Sequence, residues 1–146
     1  MKSLLSIDFG DKRTGFAKSD ELGLLAHPHS VFKTHPYQKL LAHMKEIEKK
    51  FNLGGIVLGI PYGETERITK QTEKVLRFKA KLENDFDIPV YDIDESYSSK
   101  IALDMAHQKG KNFKQIKSKI DAQAAAIFLQ DFLDNIKEDQ KLEIGE

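Results

Sequence analysis

Three carboxylates in this chain stand where a carboxylate is costly unless it has a job. Asp8 ends an apolar strand, Leu4-Leu5-Ser6-Ile7-Asp8-Phe9-Gly10. Glu95 follows another, Pro89-Val90-Tyr91-Asp92-Ile93-Asp94-Glu95. Asp121 sits on the apolar stripe of a late helix, with Ala124, Ala125, Phe128, Leu129 and Phe132 at steps of three and four. Burying an ionised carboxylate costs several kcal/mol unless it is paired or holds a metal. Three such groups brought together would repel one another, and a divalent cation resolves that repulsion. Hard cations prefer oxygen ligands. The pattern therefore points to a Mg²⁺ or Mn²⁺ site for phosphodiester chemistry, provided the fold gathers the three.

Each acid also has a plainer reading. Asp8-Phe9-Gly10 can simply open a turn, since Asp and Gly both suit turns. The same Asp-x-Gly begins the phosphate loop of actin-like sugar kinases and chaperone ATPases. Asp94 and Glu95 cannot both face one point, because neighbours on an extended chain alternate sides. Ser118-Lys119-Ile120-Asp121 fits a capping box, with Asp121 in the first turn of a helix. His27, His29, His35, His43 and His107 have neither helical ligand spacing nor a cysteine nearby, so a zinc site is not expected. Gly59-Ile60-Pro61-Tyr62-Gly63 reads as a rigid loop that lines the site or stops a strand.

The elements that must position these groups follow from hydrophobic periodicity. A strand is expected at about 3–9, a turn at 10–15, a returning strand at 16–19, and a third extended piece at 24–32. Leu40, Leu41, Met44, Ile47 and Phe51 predict a helix over 37–51. A buried strand is expected at 56–60, a charged helix at 64–84 and a strand at 88–93. Helices are expected at about 98–109 and 118–136, with residues 137–146 as a frayed acidic tail. A three-strand meander followed by alternating helices and strands predicts an α/β fold. Its mixed central sheet of about five strands carries helices on both faces. Right-handed crossovers set the later strands parallel to the first, and ligands then bind at the carboxyl ends of the strands, where Asp8 and Glu95 lie.

The 146 residues suit one domain, 1–136, with a sizeable core. No run approaches the ~18 apolar residues of a membrane span, and the early Lys2 does not suit a secretory leader. With no cysteine, disulfides and thiolate sites are excluded and a cytoplasmic setting is expected. The formal net charge is zero, which argues against a general nucleic-acid coat. Charge is nevertheless uneven. Residues 100–119 hold six lysines against Asp104, a balance of +5, whereas 134–146 hold five acids against two lysines. The lysine run is a solvated helical face or, beside two of the carboxylates, a phosphate-binding one.

Four ordered blocks carry a family resemblance. Asp8-Phe9-Gly10-Asp11-Lys12-Arg13-Thr14-Gly15-Phe16-Ala17-Lys18-Ser19-Asp20 resembles the D-F-G-x-K-R-x-G-x-A-x-S-D opening of the YqgF family, the Holliday junction resolvase or pre-rRNA nuclease group. Val57-Leu58-Gly59-Ile60-Pro61 resembles its V-V-G-L-P strand. Asp94-Glu95 with Ser98-Ser99 resembles its D-E-R-x-[ST]-[ST] block. Lys119 to Ala125 and Leu129 to Leu133 resemble its K-x-[IV]-D-x-x-A-A helix and L-Q-x-[YF]-L continuation. The resemblance implies a ribonuclease H-like fold and a metal-dependent nuclease maturing the small-subunit ribosomal RNA precursor. Asp8, Glu95 and Asp121 would be the catalytic and metal-holding acids, with Mg²⁺ or Mn²⁺ as cofactor. One departure matters: Ser96 stands where the family has Arg, a rigid bidentate partner for phosphate that Ser cannot replace. Lys12, Arg13, Lys100 and Lys119 are the substitute cations for positioning substrate.

Three classes compete on this sequence. A metal-dependent phosphodiesterase acting on precursor rRNA or branched DNA, as monomer or weak homodimer, accounts for all four blocks. An actin-like ATPase needs a second lobe that 146 residues are not expected to supply, and no G-x-x-x-x-G-K-[ST] occurs. A non-catalytic RNA-binding module draws its support from Ser96.

Overall fold

A computed structural model describes residues 2–61, 69–94 and 113–143, with the side chains of its last helix described over 121–136. Five strands form one sheet in the order β3-β2-β1-β4-β5. They are β1 (Ser3–Phe9), β2 (Arg13–Ser19), β3 (Ala26–Lys33), β4 (Leu53–Ile60) and β5 (Val90–Asp94). β1, β2 and β3 make the antiparallel meander, while β4 lies parallel to β1 and β5 parallel to β4. The helices are α1 (Tyr37–Phe51), α2 (Lys70–Asp85) and α3 (Phe113–Glu143).

The two faces of the sheet are packed differently, and the sequence dictates how. Along β1, Leu5 and Ile7 turn to one face and join Leu40, Met44 and Ile47 of α1 and Val75, Phe78 and Leu82 of α2. The alternate residues Leu4, Ser6 and Asp8 turn to the other face, where Ser6 Oγ donates to the Ala125 carbonyl of α3 at 2.8 Å. β4 is central and apolar on both sides. Ile56, Leu58 and Ile60 enter the large core, and Val57 packs with Ala125, Phe128, Leu129 and Leu133 of α3.

The element boundaries follow local chemistry. Thr69 caps α2, its Oγ1 accepting from Thr72 N at 3.1 Å, so the helix begins later than the expected residue 64. Residues 62–68 lie outside the described residues. α1 ends at Asn52, which takes the left-handed conformation at φ 50°. β4 begins before its two glycines, because Leu53 is itself buried and paired with Ser3. Pro28 is tolerated on β3 because that strand is an edge, and the β2–β3 register shifts beside it. The last helix starts at Phe113 and continues to Glu143, longer at both ends than the expected 118–136 with a frayed tail beyond. The helix expected at 98–109 lies outside the described residues. Among the described residues no helix is long and apolar enough to cross a membrane.

Candidate active site

The site is built where α3 crosses the carboxyl end of β1. Asp8 pairs in register with Gly15 on the antiparallel neighbour β2, so their α-carbon substituents point to the same face of the sheet. A Cβ at Gly15 would lie 2.1 Å from the Asp121 carbonyl oxygen and 2.8 Å from the Ala122 nitrogen. Only a glycine lets the helix backbone come this close. Asp8 and Asp121 thus share one neighbour and occupy the same end of the same face. Both are half-buried. The helix is held down by Ser6 on Ala125 and by the small side chains of Ala122, Ala124, Ala125 and Ala126, all buried.

The structure overturns the capping reading of Asp121. Because α3 begins at Phe113, Asp121 lies more than two turns inside the helix rather than in its first turn, and no backbone N–H there needs a cap.

The turn between β1 and β2 forms the rim. A Cβ at Gly10 would meet the Arg13 carbonyl oxygen at 2.4 Å, so the turn is tight. Thr34, just after β3, pins it from behind. Its Oγ1 donates to the Gly10 carbonyl at 2.7 Å, its nitrogen donates to the Lys12 carbonyl at 3.1 Å, and its hydroxyl meets that of Thr14 at 2.8 Å. This network is buried and satisfied, which fixes the direction in which Lys12 and Arg13 leave the backbone. A cavity of about 290 Å³ lies between this turn and α3, lined by Gly10, Asp11, Lys12, Arg13 and Asp121. Two of the expected substrate-binding cations therefore border the cavity that Asp121 enters.

Asp94 goes elsewhere. It pairs with Ile60, which belongs to the large core, and two residues before it Asp92 meets Lys79 of α2 at 3.7 Å. Asp94 is accordingly on the α2 side of β5, and Ile93 on the α3 side. Glu95, like Ser96 and Lys100, lies outside the described residues. So does the side chain of Lys119.

The donors suit a hard cation: carboxylate oxygens at one strand end, a glycine that makes room, and no soft ligand. Among the described residues no group of three His, Cys, Asp or Glu side chains stands close enough to hold a metal. The described share of the set is the Asp8 and Asp121 pair.

Several residues of the sequence pattern turn out to be structural. Ser19 Oγ accepts from Leu4 N at 2.8 Å, locking β2 to β1. The Asp20 carboxylate accepts from Leu24 N at 2.8 Å and Leu25 N at 3.3 Å; those backbone bonds lower its pKa and shape the β2–β3 turn. Gln130 ties α3 to β3, its amide oxygen accepting from Ala26 N and its nitrogen donating to the Leu24 carbonyl, each at 2.9 Å. Sequence reading missed Thr34 and Ser6 as positioning residues. A buried hydroxyl inside an apolar strand was the signal for Ser6; Thr34 had none, because its partners are distant in sequence. His29 and His43 meet on β3 and α1, where Ser30 Oγ lies 2.9 Å from both His29 Nδ1 and His43 Nε2, and His107 lies outside the described residues.

The strand order, the antiparallel meander and the carboxyl-end site can be set beside known proteins. T. thermophilus RuvC, solved in complex with Holliday junction substrate, superposes with a TM-score of 0.53 at 16% identity, covering 91% of this chain and 94% of that one. The fold is ribonuclease H-like. A Maridesulfovibrio salexigens protein named "Putative pre-16S rRNA nuclease" is 35% identical over 130 residues, 89% of this chain and 96% of its own length. A Mycoplasma mobile protein of the same name is 37% identical over 134 residues, 90% of this chain and 91% of its own length. The family model described as RuvX, Holliday junction resolvase, matches residues 2–135. That span takes in both Asp8 and Asp121, the turn between β1 and β2 and every described strand, and the chain belongs to the RuvX family, the YqgF group.

Proposed function

We propose that this protein is a metal-dependent nuclease that hydrolyses phosphodiester bonds in structured RNA, with the small-subunit rRNA precursor as the favoured substrate. The observation that carries the reading is Gly15, in register with Asp8 and against the backbone of Asp121, beside a cavity edged by Lys12 and Arg13. The names of the two relatives, which cover nine-tenths or more of their own length, favour RNA over the branched DNA in the family's description.

Asp8 and Asp121, with Glu95, would hold one or two Mg²⁺ or Mn²⁺ ions. Such ions lower the pKa of bound water and stabilise charge on the leaving oxygen. The chain's own residues do the rest. Arg13 and Lys12 draw the scissile phosphate to the acids, and the planar guanidinium can grip two phosphate oxygens at once. The buried Thr34 network keeps that turn preorganised, so little motion is needed when substrate arrives. α3, seated by Gly15 and Ser6, fixes the Asp121 carboxylate relative to Asp8.

The test is a cleavage assay of purified protein on a precursor-like RNA stem with single-stranded flanks and on a four-way DNA junction, each with Mn²⁺ and with EDTA. Cleavage of the RNA only with Mn²⁺ is expected. Preferential cleavage of the junction would reassign the substrate to DNA. Binding with no metal-dependent cleavage of either would leave an RNA-binding module.

A further inference from the structure

Three cavities adjoin the turn between β1 and β2, and Asp11 lines all of them. The first is the Asp121 cavity. The second, about 420 Å³, is edged by Lys12, Arg13, Lys33 and His35. The third, about 440 Å³, lies on the opposite face of the sheet beneath α2. Lys74, Arg77 and Lys81 line it from one helical stripe, at steps of three and four. Its floor is aromatic, with the half-buried Phe9 and Tyr37 lying against Phe78, which is itself buried, and Asp11, Thr34 and His35 complete the lining. Phe9 stacks on Phe78 at 4.2 Å between centroids, and Tyr37 meets Phe78 edge-on at 6.2 Å. Lys81 Nζ stands 4.8 Å over the Tyr37 ring, and the Tyr37 hydroxyl donates to Asp85 at 2.7 Å, which fixes the ring. Asp11 and Glu73 are the acids facing these cations. Lys74 meets Asp11 at 3.1 Å and Arg77 meets Glu73 at 3.8 Å, with all four side chains more than half exposed. Exposed pairs of this kind are worth little and are readily exchanged for a stronger anion.

We propose that the α2 cavity binds a single-stranded RNA segment whose continuation passes over Lys33, His35, Lys12 and Arg13 to the Asp8–Asp121 end. The proposal rests on the nuclease reading for its direction and extends it by naming where a flanking strand docks. Cations at the rim match successive phosphates. An aromatic floor matches an unpaired base, whose π-face needs no particular sequence. A duplex keeps its bases stacked inside and has nothing to place on that floor.

The experiment uses the full chain and a fluorescent 20-nucleotide single-stranded oligouridine of about that length, in EDTA, with binding isotherms at several salt concentrations. In Lys74→Gln/Arg77→Gln/Lys81→Gln, affinity should fall at least about tenfold, and the salt slope should become shallower by about two units, since each single-strand phosphate contact contributes about 0.7. A charge-matched control, Lys2→Gln/Lys39→Gln/Lys49→Gln, should stay within about twofold of wild type. Lys74→Arg/Arg77→Lys/Lys81→Arg should restore the slope, and thermal melts exclude loss of fold. Equal losses in the α2 variant and the control, or no loss in either, would overturn the site. An equal loss on duplex RNA would overturn the single-strand assignment. Cleavage is read separately: absence of Mn²⁺-dependent cleavage with the expected binding pattern would remove the nuclease reading and leave the binding site standing.

Discussion

The two faces of the sheet do different work with different residues. The α1/α2 face is filled by large side chains, with Leu5, Ile7, Phe16, Ile56, Leu58 and Ile60 fully buried. The α3 face has its own large residues in Val57, Phe128, Leu129 and Leu133, but beside the two aspartates it is built of small groups: Ser6, Gly15 and Ala17 on the sheet, and four alanines on the helix. Large side chains bury more apolar area and stabilise more. Small ones let a helix backbone lie almost on the strands, and that closeness is what sets Asp121 beside Asp8. The difference teaches that the larger core and the proposed site lie on opposite sides of β1, on alternate residues of a single strand.

Breaking the bulky face should cost the most stability. Leu58→Ala removes a fully buried side chain from the central strand and should destabilise by roughly 2–5 kcal/mol, read as a shift in urea midpoint. A shift under about 1 kcal/mol would mean that this core collapses around the gap and the contrast between faces is overstated.

Gly15→Ala attacks the thin face. The added methyl would stand 2.1 Å from helix backbone, so α3 must move. A stability loss of about 1–3 kcal/mol is expected. Cleavage should fall by about 100-fold, since a misplacement near 1 Å is enough for that. The ratio sharpens the comparison: Gly15→Ala should lose far more activity per unit of stability than Leu58→Ala. Equal ratios would erase it.

The smallest expected effect is a pH dependence confined to the bulky face. His43 lies against Phe32, stacked at 4.5 Å, and Phe16, tilted at 5.2 Å. Burial lowers its pKa below the ordinary 6.5, with nearby Glu46 opposing. Burial, then the charges of His43, Lys50 and Lys18, lower that of His29. A depressed histidine is neutral in the folded protein while the unfolded chain takes up the proton first. Stability is therefore complete above about pH 6.5 and declines as the pH falls from there through the lower folded value. Urea midpoints at pH 7.5 and 5.5 should show the decline, and His43→Asn should reduce it. A midpoint that rises on acidification would show that relief of carboxylate repulsion on the other face outweighs the histidines.

The sheet was legible because its signals are local and periodic. Alternation along β1 and the 3.6-residue spacing of α1 need only neighbouring residues, and both elements fall where periodicity sets them. The start of α3 was not legible. Ser118 imitates a cap, while the short apolar spacing Phe113, Ile116 and Ile120 that extends the helix back is set among lysines. For the site, Asp8 and Asp121 were readable as carboxylates on buried elements. What brings the helix backbone at Asp121 against the strand beside Asp8 was not, because it depends on a missing side chain at Gly15 and on a hydroxyl of Ser6 bonding to residue 125. Thr34 was invisible for the same reason, its partners Gly10, Lys12 and Thr14 being joined to it only by the meander.

The central claim is that Asp8 and Asp121 act together on a metal-bound phosphodiester. It is tested most directly by single-turnover cleavage of the RNA stem in Mn²⁺ by wild type, Asp8→Asn, Asp121→Asn and the double variant, with melts of each in EDTA. Each single variant should lose about a thousandfold or more, a barrier increase of about 4 kcal/mol, and the double variant little beyond that. In EDTA neither single variant should melt below wild type, because each removes a repelling charge. Retained cleavage in either single variant, or a lowered melt in EDTA that accounts for the loss, would contradict the account and return that aspartate to a structural role.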